Sequence, residues 1–135
     1  MNNLDSNKNS IQFVGQVAIF LYRAPKENHE ALVKINKHSH DFFMKHGVLK
    51  FEVFTLNSKE NMMDFVNLAK TISASKDEEV WLEIQYYRDE KHIQEFIKSM
   101  ESDRSGDEMY KEFMKLITPN SIVSFGNFGK LSEIS

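Results

Sequence analysis

The sequence predicts an α+β fold: one four-stranded antiparallel sheet with helices stacked on a single face. Two observations carry this. Hydrophobic alternation of period two marks four strands, at Phe13–Tyr22, Leu49–Leu56, Val80–Tyr87 and Ile122–Phe128. Helical stripes at Ala31–Phe43 and from Ile93 to Ile117 separate them. The order is strand, helix, strand, then strand, helix, strand, and such a layout leaves the second face of its sheet in need of a cover.

Each element has a local reason. Met1–Ser10 is polar and without period, which predicts a mobile tail at residues 1–10, with order from Ile11. The first strand is apolar on both sides, Phe13, Val17, Ile19 and Leu21 alternating with Val14, Ala18, Phe20 and Tyr22, so both of its faces are expected to be covered. Pro25 stops it and suits the opening of a helix, which runs to about His46 and ends at Gly47, a residue free to take a left-handed cap. Between the second and third strands, Asn57–Asp77 reads as a long structured excursion of undecided form. In the third strand Val80, Leu82, Ile84 and Tyr86 alternate with Trp81, Glu83, Gln85 and Tyr87. Asp89 can cap the helix carrying Ile93, Phe96, Ile97 and Met100. Ser105 and Glu108 stand at capping-box spacing ahead of a further helix with Met109, Phe113, Leu116 and Ile117. Pro119–Asn120 turns the chain into the last strand. Residues 11–131 read as one domain, with a short tail at 132–135.

Composition bounds the class. At 135 residues, 41% hydrophobic and with eleven Phe, the chain is one domain with a real core. Seventeen basic against twenty acidic residues leave a net charge of −3, too balanced to draw a polyanion, so nucleic acid is not an expected partner. There is no cysteine, hence no disulfide, no thiolate metal site and no cysteine nucleophile. No apolar run approaches membrane-spanning length, and the first ten residues lack the apolar core of a signal peptide. A soluble cytoplasmic protein with no membrane partner is the expectation.

The third strand bears on assembly. Its uniformly apolar side is expected to meet the helices, which places Trp81, Glu83, Gln85 and Tyr87 on the other, mixed face. Large rings on an open face invite a cover, so a homodimer closed through those four residues is expected. The alternative is that Asn57–Asp77 folds across that face.

Among candidate chemical groups histidine stands out. At about 100° per residue, Ala31, Leu32, Ile35, His38, Ser39, Phe42 and His46 share one side of the first long helix, so His38 and Ser39 interrupt an inward stripe. His38 is then either a general base or ligand contact in a cavity between helix and sheet, or a core-edge histidine bonded to a carbonyl or water; the second is favoured, because buried polar groups are normally just satisfied. His38, Ser39 and Phe42 make a candidate ligand-binding set, with His38 the one candidate catalytic residue. Glu83, the acid in the middle of an apolar strand, reads either as a desolvated carboxylate of raised pKa or, preferentially, as a seam residue paired across the dimer axis. No His pair has the spacing that converges on one ion, so no metal site is expected, and no phosphate loop or nucleophilic-serine turn is present. No cofactor is implied.

Several short motifs are collinear with one family. Pro25-Lys26, His46-Gly47-Val48-Leu49, Phe51-Glu52, Phe65, Asp77-Glu78-Glu79-Val80, Met100-Glu101-Ser102-Asp103-Arg104 and Gly126-Asn127-Phe128 resemble the YbaA-like family of uncharacterised small proteins over about Phe13 to Leu131. Val48, Ser105 and Asn127 depart from its usual residues. The resemblance implies a ferredoxin-like fold that pairs as a dimeric α/β barrel, with no assigned reaction. The function it leaves open is binding of a small, partly apolar molecule between helix and sheet. The alternatives are a cofactor-independent monooxygenase- or isomerase-like enzyme, by fold analogy, and a structural or partner-binding module.

Overall fold

A computed structural model describes residues 13–134, with the backbone alone at Ser124 and Phe125. The expected tail at Met1–Ser10 lies outside the described residues. Four strands, β1 (Gln16–Pro25), β2 (Lys50–Thr55), β3 (Glu78–Tyr87) and β4 (Val123–Gly129), form one sheet in the order β2-β3-β1-β4 with every neighbour antiparallel. Four helices accompany them: α1 (His29–Lys45), the single turn α2 (Leu68–Thr71), α3 (Glu90–Glu101) and α4 (Ser105–Leu116). The order and type of the main elements match the periodicities in the sequence. No helix among the described residues is long and apolar enough to cross a membrane.

Local chemistry sets the boundaries. Pro25 ends β1 and leads through a 3-10 turn at Lys26–Asn28 into α1. Gly47 takes φ +100° just past the end of α1, the left-handed conformation a Cβ would oppose. Asp89 caps α3 by accepting from the His92 amide at 2.8 Å. The capping box expected at Ser105 and Glu108 does not form. Asp103 accepts instead from the Ser105 amide and hydroxyl, at 3.0 and 2.6 Å, because a full carboxylate at the positive end of a helix outcompetes a hydroxyl.

The core fills the space between the sheet and α1, α3 and α4. One cluster joins Ala18, Val48, Phe51, Tyr87, Ile93 and Phe96, and a second joins Tyr22, Ala24, Leu32, Ile35, Trp81 and Ile117. A third lies on the opposite face, where Ala69, Leu68 and Ile72 of the excursion pack over Leu21, Val80 and Leu82. The excursion is pinned there by Lys59, whose ammonium donates to the Ser75 and Glu78 carbonyls, and by Asn67, which caps α2 and donates to the Ser58 and Glu60 carbonyls.

This packing corrects the expected orientation of β3. Trp81, Glu83, Gln85 and Tyr87 point toward the helices, not toward a second copy; Trp81 and Tyr87 are 3% and 2% exposed within a single chain. The apolar side, Val80, Leu82, Ile84 and Tyr86, faces away, covered at the Val80 end and half-buried at Ile84 and Tyr86. The physical reason is volume and hydrogen bonding. Helices resting on a sheet leave a gap that large rings fill: Trp81 stacks on Tyr22 at 6.0 Å, and Tyr87 meets Phe96 edge-on at 5.3 Å. Hydrogen bonds link the polar side chains of this face: the Tyr87 hydroxyl donates to Gln85 Oε1 at 2.6 Å, and Gln85 Nε2 donates to Glu83 Oε2 at 2.6 Å. A polar side chain that is hydrogen-bonded inside the core, as Gln85 is at both ends of its amide, does not need a wet face.

Candidate functional site

That hydrogen-bond chain ends in a cavity. Glu83 sits at the middle of β3, opposite Phe20 of β1 and Val53 of β2, and points into the layer between sheet and helices. Above it the space is closed by Ser39 and Phe43 from α1 and by Met109, Tyr110 and Phe113 from α4. The cavity holds about 330 Å³, the low end of the range that takes a small organic ligand. Its rim lies at Tyr110 and Ile122, which are 59% and 39% exposed.

Each wall has a local origin. The α1 stripe buries Leu32, Ile35, Asn36 and Ser39, and Ser39 is tolerated there because its hydroxyl donates back to the Ile35 carbonyl at 3.1 Å. Tyr22 packs edge-on to Phe113 at 5.0 Å and receives a hydrogen bond from Asn36 Nδ2 at 3.1 Å, which fixes the ring. α4 approaches α1 closely where Gly106 lies against the Phe42 ring.

The electrostatics single out Glu83. Burial pushes its carboxyl up to about 7, against the small opposing effect of the Gln85 hydrogen bond. Oε2 is taken by Gln85, and Oε1 has no hydrogen-bond partner among the described residues. The Tyr22 and Tyr87 hydroxyls are raised by burial and, in addition, by the Glu83 charge. The arrangement is a carboxyl poised between its two forms near neutral pH, with one oxygen free, in an aromatic-walled space. It can accept a hydrogen bond or a proton, or hold a cation.

The sequence-derived candidates divide. Ser39 lines the cavity. His38 does not face inward, which corrects the expectation for it: it is exposed and lies with Phe42 along the outer groove between α1 and α4. The buried stripe of α1 is turned by one position toward Asn36 and Phe43, because Phe43 packs on Phe51 and Phe96 while Phe42 seats against Gly106 and His46. Glu83 was legible as the one acid in an apolar strand, but its destination depended on which side of β3 met the helices.

A second polar cluster has the composition of a hydrolytic triad but a different role. His46 Nδ1 lies 2.6 Å from Ser99 Oγ, and its Nε2 lies 2.7 Å from Asp103 Oδ2. Ser99 is on the exposed side of α3, and Asp103 is also held by Ser105 and Lys45, which keep its carboxyl below the usual carboxylate range. The cluster ties the C-terminus of α1 to the α3–α4 junction, which positions α4 over the cavity. Among the described residues no group of three or more His, Asp or Glu could hold a metal ion.

Comparison with known proteins places the fold and leaves the site unassigned. The model of a family described as proteins of unknown function (DUF1428) matches residues 16–116. The crystal structure of At3g17210 from Arabidopsis thaliana is similar with a TM-score of 0.51 at 14% identity, over 86% of this chain and 96% of that one. The de novo designed protein Foldit4 aligns with a TM-score of 0.43 at 14% identity, over 86% of this chain and 99% of that one. No curated protein matches the chain.

Proposed function

The chain belongs to the DUF1428 family of proteins of unknown function, and from that premise we propose that it is a cytoplasmic protein that binds a small, partly apolar molecule between α1, α4 and the sheet. The observation that carries this is the free oxygen of a half-buried carboxylate in an aromatic-lined cavity. A fold does not retain a desolvated acid in its core for stability, since an apolar residue would fill the same place at lower cost. Polar groups of this kind mark sites. Ser39→Leu tests the reading. The larger side chain fills the cavity from α1, so ligand-induced thermal stabilisation in a fragment screen is expected for the wild type and not for the variant. A wild type that no fragment stabilises, with a crystal structure showing the space packed solid, contradicts it.

A second reading is favoured by the same carboxylate. A carboxyl near neutrality can take a proton from a carbon acid and return it to an adjacent carbon, which is isomerase-like chemistry that needs no cofactor. Under that reading Glu83, not His38, is the catalytic candidate.

With the YbaA-like resemblance comes a paired sheet, and we place the homodimer join on the face that carries Val17, Ile19, Ile84 and Tyr86. Support comes from the half-buried state of these residues in one chain, from Phe54 beside them at 46% exposure, and from the failure of the excursion to cover that end of the sheet.

A further inference from the structure

We propose that the molecule held in this cavity is a small amine cation with an apolar body, its ammonium group set against the free oxygen of Glu83; this rests on the binding reading above and narrows it to a ligand class. Elsewhere in the chain, carboxylates that are partly withdrawn from water are given a basic partner. Glu78 pairs with Arg23 at 3.0 Å, Glu79 with His29 at 2.9 Å, Glu52 with Lys50 at 3.3 Å, and Asp103 with both His46 and Lys45. Glu83, half-buried in the cavity wall, has none among the described residues. The titratable groups turned toward it are Tyr22 from β1, Tyr110 from α4 and, through Gln85, Tyr87 of its own strand. α1 offers only the Ser39 hydroxyl, already donated to Ile35. No lysine, arginine or histidine lines the cavity among the described residues.

The positive charge that would balance the carboxylate is therefore left for a ligand to bring. The walls agree with that charge. Phe20, Tyr22, Phe43 and Phe113 present aromatic rings, which attract cations and repel a second carboxylate. A neutral hydroxyl could donate to the same oxygen, but it would leave the charge uncompensated in a poorly solvated space. The volume fits one ring with a short side chain.

The test is calorimetric titration with three probes of one shape: 2-phenylethylamine, 2-phenylethanol and 3-phenylpropionate. At pH 8 the amine is expected to bind at least about tenfold more tightly than the alcohol, with no detectable binding of the acid. At pH 6, where Glu83 holds a proton that the amine must displace, the amine affinity is expected to fall about tenfold and the alcohol affinity to stay level. Glu83→Gln is expected to remove the preference for the amine while retaining the alcohol. An alcohol or acid that binds as tightly as the amine overturns the amine proposal and leaves the cavity reading standing. So does an amine preference that survives Glu83→Gln. Failure of all three probes with the wild type overturns both. The pH arm on the wild type decides the matter even if the variant does not fold.

Discussion

Glu83 is where function and stability pull apart. Its carboxyl is raised from 4.5 to about 7 in the fold, so the folded chain holds that proton more tightly than the unfolded chain does. Stability therefore declines as pH rises from about 4.5 to 7 and stays lowered above, by up to about 3 kcal/mol. Glu83→Gln keeps an acceptor for Gln85 and removes the charge, so it is expected to raise the melting temperature at pH 8 and change it little at pH 4.5. Equal effects at both pH values would contradict the assignment. Glu78 behaves oppositely. Burial alone would raise it, but the Ser75 amide, the Thr118 hydroxyl and Arg23 together lower it to about 2. Its contribution is complete above about 4.5 and is lost as pH falls toward 2, so Glu78→Gln is expected to cost about 3 kcal/mol at pH 7 and little at pH 2, read by urea unfolding. Both acids could be seen in the sequence as acids in or entering a strand. Their partners could not, since Arg23 and Thr118 reach Glu78 only through the sheet order.

At the scale of elements, α4 makes the cavity, and two contacts hold it: Gly106 against Phe42, and Asp103 joined to His46. A Cβ at Gly106 would lie 2.7 Å from the tip of the Phe42 ring, a side-chain end that can shift. Gly106→Ala is expected to be tolerated within about 1 kcal/mol, whereas Gly106→Val is expected to cost about 1–3 kcal/mol and to weaken ligand binding by displacing Met109, Tyr110 and Phe113; a valine variant with wild-type stability and binding would show that α4 is not held there. Strand and helix order was readable because alternation and helical stripes are local signals. The orientation of β3 was not, because Val80, Leu82, Ile84 and Tyr86 look more like a core face than the rings and amide that do face the helices. What decided it was the Tyr87–Gln85–Glu83 chain of hydrogen bonds, which makes a polar side chain compatible with burial and has no signature in composition. The excursion was equally opaque, since α2 is a single turn fixed by Asn67 and by packing on Leu21 and Val80.

For the whole molecule, the same contacts predict a stability maximum near pH 5: Glu78 is fully engaged there and Glu83 still largely protonated. His29, raised by its hydrogen bond to Glu79, adds a contribution that is complete below its ordinary value of 6.5 and lost as pH rises past it. The proposed dimer makes a separate prediction. Light scattering is expected to give the mass of two chains, and Ile84→Asp, opposite Ile19 at the middle of the half-buried face, to give one; a wild type of single-chain mass contradicts the pairing. Trp81, the only tryptophan and 3% exposed in a single chain, is expected to resist acrylamide in both.

The most direct test of the central claim is a carbon-13 NMR titration of the Glu83 side-chain carboxyl in the ligand-free protein, assigned by its loss in Glu83→Gln. The enclosed, base-free site described above predicts a midpoint near 7. A midpoint at the ordinary glutamate value of 4.5 would mean that water or a basic group already reaches the carboxylate, and the cavity would lose its chemistry.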